Sequence, residues 1–195
     1  MLGILLVSCR NADVAIYDGS LDWKTQLRVA QENVRSAYPH AHPVLTDVSA
    51  TVLDGEEVLV VTRYRFRLSP NEYTVVSIAE QAPTTVLYPG GITHQPQHGL
   101  VALSPQMTAV VKITPFDAFM LTQREVQNFE ERHISDVVNK SIRLTTRATD
   151  QAAVASPVWE VEVDALVEPH VYRLVIVIDA VTGDILEQQE TLLAE

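Results

Sequence analysis

The stretch Val158-Trp159-Glu160-Val161-Glu162-Val163-Asp164-Ala165, continued by Tyr172-Arg173-Leu174-Val175-Ile176-Val177-Ile178 and Asp179-Ala180-Val181-Thr182-Gly183-Asp184, decides the fold. In the first part Trp159, Val161, Val163 and Ala165 fall on one face of a strand, and Glu160, Glu162 and Asp164 fall on the other, because side chains alternate along extended backbone. In the second part Tyr172, Leu174, Ile176 and Ile178 share a face, but Val175 and Val177 make the opposite face apolar too. A strand apolar on both faces belongs inside a sheet with cover on both sides. The two parts predict a hairpin. The closing turn has a local explanation: Asp179 can accept backbone hydrogen bonds, and Gly183 can take a positive φ.

Working outward, Thr114-Pro115-Phe116-Asp117 predicts a helix start. Thr114 caps, Pro115 suits the first helical position, and Asp117 completes a capping box. Phe119, Thr122, Val126 and Phe129 continue an apolar stripe, with the helix extending toward Ile134, Val137 and Val138, and residues 142–147 follow as a strand. The first half shows the same order. Trp23, Leu27, Ala30, Val34 and Ala37 recur at helical spacing after Ser20, a good N-cap, and Pro39 ends the run. Residues 44–53, 58–68 and 73–78 then alternate as three strands, joined by Asp54-Gly55 and Ser69-Pro70-Asn71-Glu72. Between the halves, Ala82-Pro83, Pro89-Gly90-Gly91 and Pro96 break any regular pattern. That region reads as a connection with short strands, one of them over residues 108–113. The expected fold class is therefore α+β: two helix-plus-antiparallel-sheet modules in tandem, over residues 20–79 and 114–195, joined by 80–113.

Composition narrows the function. Hydrophobic residues make up 47% of the chain and charged residues 20%, enough to build a core. The net charge of −11 argues against nucleic acid and anionic lipid as partners, since both need a concentrated basic surface. With one cysteine, Cys9, no intrachain disulfide can form. Leu6-Val7-Ser8-Cys9 ends a short apolar run and resembles a bacterial lipobox, in which Ser8 fits the peptidase and the Cys9 thiol takes lipid. On that reading residues 1–8 are a leader, 9–19 a tether, and the protein is extracytoplasmic and lipid-anchored. If residues 1–8 are instead a first strand, the protein is cytoplasmic.

The C-terminal pattern resembles the PepSY domain over about residues 114–190. It has a helix and a strand, then Trp159-x-Val161-x-Val163, then Tyr172-x-Leu174-x-Ile176-x-Ile178-Asp179-Ala180-x-Thr182-Gly183. Ala37-Tyr38-Pro39-His40-Ala41 resembles the family's helix end in a degenerate first copy, with His40 in place of glycine. The resemblance implies an extracytoplasmic module that binds or restrains peptidases, with Trp159, Asp179, Thr182 and Gly183 as structural signature. It brings no catalytic residues and no cofactor.

Candidate sites are sparse. His94 and His98 have helical metal-ligand spacing but flank Pro96, and His40 and His42 flank one residue of a turn; neither pair has the three or four ligands a metal site needs. No Gly-x-Ser-x-Gly nucleophile motif is present. Arg63, Arg65 and Arg67 form a basic row at strand period and can grip an acidic peptide, or pair with Glu160, Glu162 and Asp164. The expectation is a non-enzymatic protein- or peptide-binding module, with a peptidase as one partner. The alternatives are a small-ligand carrier or sensor using the helix–sheet groove, and a structural part of an envelope assembly.

Overall fold

The computed structural model describes residues 4–7, 14–53, 57–93, 103–133, 136–147 and 155–194. His94, His98 and Cys9 lie outside them. The chain divides into two compact units, Met1–Ser49 with Leu53–Ala109, and Ala50–Val52 with Val110–Glu195.

In the first unit the elements run β1 (Ile4–Val7), β2 (Val14–Asp18), α1 (Trp23–Ala37), β3 (Val44–Leu53), β4 (Leu59–Ser69), β5 (Glu72–Gln81), β6 (Thr84–Tyr88), β7 (Ile92–Thr93) and α2 (Pro105–Val110). The strands order as β1-β2-β6-β5-β4-β3, and β7 pairs with β5. The first unit's helix α1 lies against β4 and β5. It buries Trp23, Gln26, Val29, Ala30 and Val34, so the stripe is rotated from the expected one. The rotation seats polar Gln26, which accepts from Tyr64 Oη at 2.7 Å and donates from Nε2 to Leu21 O at 2.9 Å. Trp23 Nε1 donates to Thr108 O at 2.9 Å. Asp22, rather than Ser20, is the N-cap, accepting from Thr25 N at 2.8 Å.

In the second unit α3 (Pro115–Arg132) is followed by β8 (Asp136–Arg147), β9 (Ser156–Val167), β10 (His170–Asp179) and β11 (Ile185–Ala194), which neighbour one another in chain order. Thr114 and Asp117 form a reciprocal capping box, with Pro115 at the helix start. The helix ends at Arg132, capped by His133, and the chain is already extended at Asp136. The β10 register sets Ile178 against Trp159, Ile176 against Val161 and Leu174 against Val163. All six are at most 1% exposed, and α3 covers them with Ala118, Phe119, Val126 and Phe129.

Two helix-plus-antiparallel-sheet modules in tandem are not what forms. Among the described residues strand outweighs helix by about two to one, 53% against 25%, and they are mostly antiparallel sheet with few helices. The excess strand comes from segments without strong local signals. Residues 14–18, within the expected tether, become β2 by pairing with β6, Ala15 against Leu87 and Tyr17 against Thr85. Residues 4–7, within the expected leader, pair with β2 as β1. The expected connection supplies β6, β7 and α2. The strand expected over 108–113 is in part the end of α2. Gly90 is required beside β5, because a Cβ there would overlap the Val75 backbone. Short segments of this kind become strands only once a partner edge satisfies their backbone groups, and that partner is set by the folded chain.

Candidate functional site

The arginine row is set by the period-two geometry of β4. Val60, Thr62, Tyr64 and Phe66 are buried on the α1 side, which turns Arg63, Arg65 and Arg67 to the opposite face. Their neighbours across β5 are Ser77, Val75 and Tyr73. Alternate residues of a strand lie roughly 6.7 Å apart, so the three arginines repeat at the spacing of alternate side chains in an extended peptide. Arg63 is exposed, and Arg65 and Arg67 are half-buried.

Arg65 Nη1 lies 3.9 Å from Asp47 Oδ2, to which Ser49 Oγ donates at 3.3 Å. Arg67 lines a solvent-open cleft of about 490 Å³ with His42, Val44, Leu68, Ser69 and Pro70. His42 therefore shares a cleft with a guanidinium. Among the described residues no group of three or more His, Cys, Asp or Glu side chains could hold a metal ion.

The carboxylates Glu160, Glu162 and Asp164 find their partners within the second unit. Arg173 of β10 donates from Nε and Nη2 to the two Asp164 carboxylate oxygens at 2.7 and 3.0 Å, and its Nη1 lies 3.5 Å from Glu162. Arg143 of β8 stands opposite Glu160 in register. The fork geometry is the strong form of an arginine–carboxylate pair. Burial, followed by the Glu162 carboxylate beside it, raises the pKa of Glu160 above its ordinary 4.5, and Arg143 and Arg173 oppose the rise. A raised carboxyl pKa means that the fold binds this proton more tightly than the unfolded chain does. Its unfavourable contribution develops as pH rises through the ordinary carboxylate value and is complete above the raised one. Glu160→Gln should therefore melt higher than the parent at neutral pH, and the two should converge as pH falls below about 4.5. A thermal melt series against pH checks this, and a gap that widens toward acid would contradict it.

The Asp179 turn is built from backbone bonds. Asp179 Oδ1 accepts from Val181 N and Thr182 N at 2.7 and 3.0 Å, Gly183 N donates to Asp179 O at 2.9 Å, and Gly183 has φ +83°. Thr182 Oγ1 donates to Asp184 Oδ2 at 2.7 Å. Trp159 is fully buried, and its Nε1 donates to Ile113 O at 2.9 Å. These hydrogen bonds give Asp179, Thr182, Gly183 and Trp159 a structural part in the turn and in the segment before α3.

Two polar features of the interior were not legible in the sequence. Glu80 is 2% exposed, on the same face of the first unit as Tyr64, and Tyr64 has its pKa pushed well up by burial and then by Glu80. Lys140 is 6% exposed and pairs with Glu130 of α3. Both lie outside the strands expected from the sequence, Glu80 at the start of the expected connection and Lys140 between the expected helix and the strand over 142–147. In both units the layer between helix and sheet is filled by side chains, including Trp23, Ala30 and Phe66 in one and Phe119, Phe129 and Ile176 in the other. Among the described residues, no helix is long and apolar enough to cross a membrane.

No family model matches the chain, and no curated protein matches it. Two solved structures are similar. One is a candidate lipoprotein from Clostridium difficile, 11% identical, covering 89% of this chain and 95% of its own at a TM-score of 0.38. The other is a candidate thioesterase II from Thermobifida fusca, 13% identical, covering 97% and 94% at a TM-score of 0.23. The described residues form a strand-rich protein with an arginine row on one sheet face.

Proposed function

We propose that the protein is a non-enzymatic binding module that takes an acidic, extended protein or peptide segment on the face carrying Arg63, Arg65 and Arg67. The supporting observation is the placement of three arginines at strand period on the face opposite α1, ending in the cleft lined by Arg67 and His42. On a chain of net charge −11 such a row gives an acidic ligand one local place to bind. Carboxylates on every second residue of an extended ligand match its repeat, and guanidinium groups bind carboxylates through charge-assisted hydrogen bonds. A peptidase is the narrower partner, implied by the PepSY resemblance. The setting that goes with this reading is extracytoplasmic, with a lipid anchor at Cys9. Cleavage before Cys9 would remove β1 and leave β2 as the end strand, so mass spectrometry of the native N-terminus tests the anchor directly. A chain beginning at unmodified Met1 refutes it.

The binding test uses a labelled peptide of alternating glutamate and threonine, a charge-reversed control, and the triple variant Arg63→Ala, Arg65→Ala, Arg67→Ala. The parent should bind the acidic peptide with an affinity that falls as salt is added. The triple variant should bind at least about tenfold more weakly, or roughly 1.4 kcal/mol. Equal affinity in parent and variant, or no acidic preference in the parent, overturns the proposal.

A further inference from the structure

The geometry points to β11 as the seam of a symmetric dimer, in which the strand pairs antiparallel with β11 of a second copy and extends the sheet across a two-fold axis. The inference does not rest on the arginine face. Among the described residues β11 pairs with β10 on one side and ends the strand order on the other. An edge of this length leaves a row of backbone donors and acceptors available for another strand. Every side chain from Ile185 to Leu193 is exposed, in contrast to the alternating burial of β9. Four of them, Ile185, Leu186, Leu192 and Leu193, are large aliphatics 42 to 47% exposed. Exposed aliphatics concentrated on an edge strand mark a pairing surface.

The order of residues selects a second copy as the occupant. Ile-Leu-Glu-Gln-Gln-Glu-Thr-Leu-Leu is aliphatic at both ends and polar in the middle. A two-fold interface brings one patch against itself in reverse order. Centred on Gln189, antiparallel self-pairing sets Leu186 against Leu192 of the second copy and Ile185 against Leu193. It sets Glu187 against Thr191 and Gln188 against Glu190, so no carboxylates meet directly. A centre half a residue earlier would oppose Glu187 and Glu190, which like-charge repulsion disfavours. The register irregularities of β11 against β10 also fall toward the two ends, between Val177 and Ile178 and between Val171 and Tyr172 of β10. Glu187–Leu192 between them is regular.

Charge is also prepared for the approach. Glu190 is held by Arg132 Nη2 at 2.6 Å and by His133 Nε2 at 2.7 Å, and Glu187 by Arg147 Nη2 at 2.8 Å. Both glutamates of the strand thus carry a cationic partner from their own chain. Two copies can approach without bringing bare carboxylates together.

The test is the mass in solution, by size exclusion with light scattering over a wide dilution series. The parent should run at twice the chain mass of 21.6 kDa when concentrated and approach 21.6 kDa on dilution. The double variant Leu186→Lys, Leu192→Lys places lysine opposite lysine at both ends and should be monomeric throughout. The double variant Leu186→Lys, Leu192→Glu opposes lysine to glutamate in the same register and should dimerise. Because all these side chains are exposed, each variant should keep the parent's cooperative melt. A parent monomeric at every concentration overturns the inference. So does a dimer that survives the Lys/Lys change, which would place the interface elsewhere. Loss of dimer in both variants excludes the antiparallel register and overturns it too.

Discussion

Trp159→Ala is expected to lower the stability of the second unit by about 3–5 kcal/mol, the range for removing a buried aromatic side chain. Trp159 is 0% exposed and sits between Leu144 of β8 and Ile178 of β10, themselves 3% and 0% exposed. Its replacement leaves a void that three hydrogen-bonded strands cannot close by small shifts. The indole also ties the sheet to the segment before α3, through Nε1 to Ile113 O at 2.9 Å. That segment is further held by Lys112 N and Ile113 N, which both donate to Ala180 O, at 2.9 and 3.1 Å. Trp159→Phe separates the two contributions. It keeps most of the ring but leaves the Ile113 carbonyl without its donor, an added cost of about 1–3 kcal/mol. Urea unfolding followed by tyrosine fluorescence and far-UV signal should rank parent above Phe above Ala. A loss below about 1 kcal/mol for Trp159→Ala would mean that the site collapses freely, against the packing described.

The second large effect is expected at Lys140. Its side chain is 6% exposed, its Nζ lies 2.5 Å from Glu130 Oε1, and it stands 5.9 Å from the Phe119 ring centroid. Removing one partner of a buried ion pair strands the other charge, at a cost of 3–5 kcal/mol in deeply buried cases. Glu130 is 27% exposed on its side chain, so water can recover part of that loss. For Lys140→Met we expect about 3 kcal/mol, the lower end of the range. The methionine conserves most of the volume, which isolates the charge effect from a cavity. Adding Glu130→Gln to Lys140→Met should restore part of the stability, because the stranded carboxylate is then gone. A double-mutant cycle in denaturant measures this. Strict additivity of the two changes would show that the pair is not coupled.

The elements with strong local chemistry were legible in the sequence. The capping box at Thr114 and Asp117 and the alternation along β9 and β10 are set by neighbours within a few residues. The pairing of Arg63, Arg65 and Arg67 on one face of β4 follows equally from strand period. The same reasoning failed where a decision depended on distant partners. Gln26 lies outside the helical stripe read from the sequence, yet it is buried, with Tyr64, 38 positions away, supplying a hydrogen bond. Lys140 stands on a short polar stretch, yet it faces α3 and pairs with Glu130. Residues 14–18 had no periodicity of their own and became a strand against β6.

The sequence alone determined the local elements whose signals lie within one turn of helix or one strand: the start of α3, the faces of β4, β9 and β10, and the turn from Asp179 to Gly183. It also determined the net charge of −11. Only the tertiary structure decided that sheet outweighs helix, that Arg173 rather than the β4 arginines neutralises Asp164, and that β11 ends the strand order with its aliphatics exposed. The physical reason is the same in each case. Backbone hydrogen bonds between strands and ion pairs across them are long-range, and a strand edge or a charge acquires its partner only when the chain has folded back on itself.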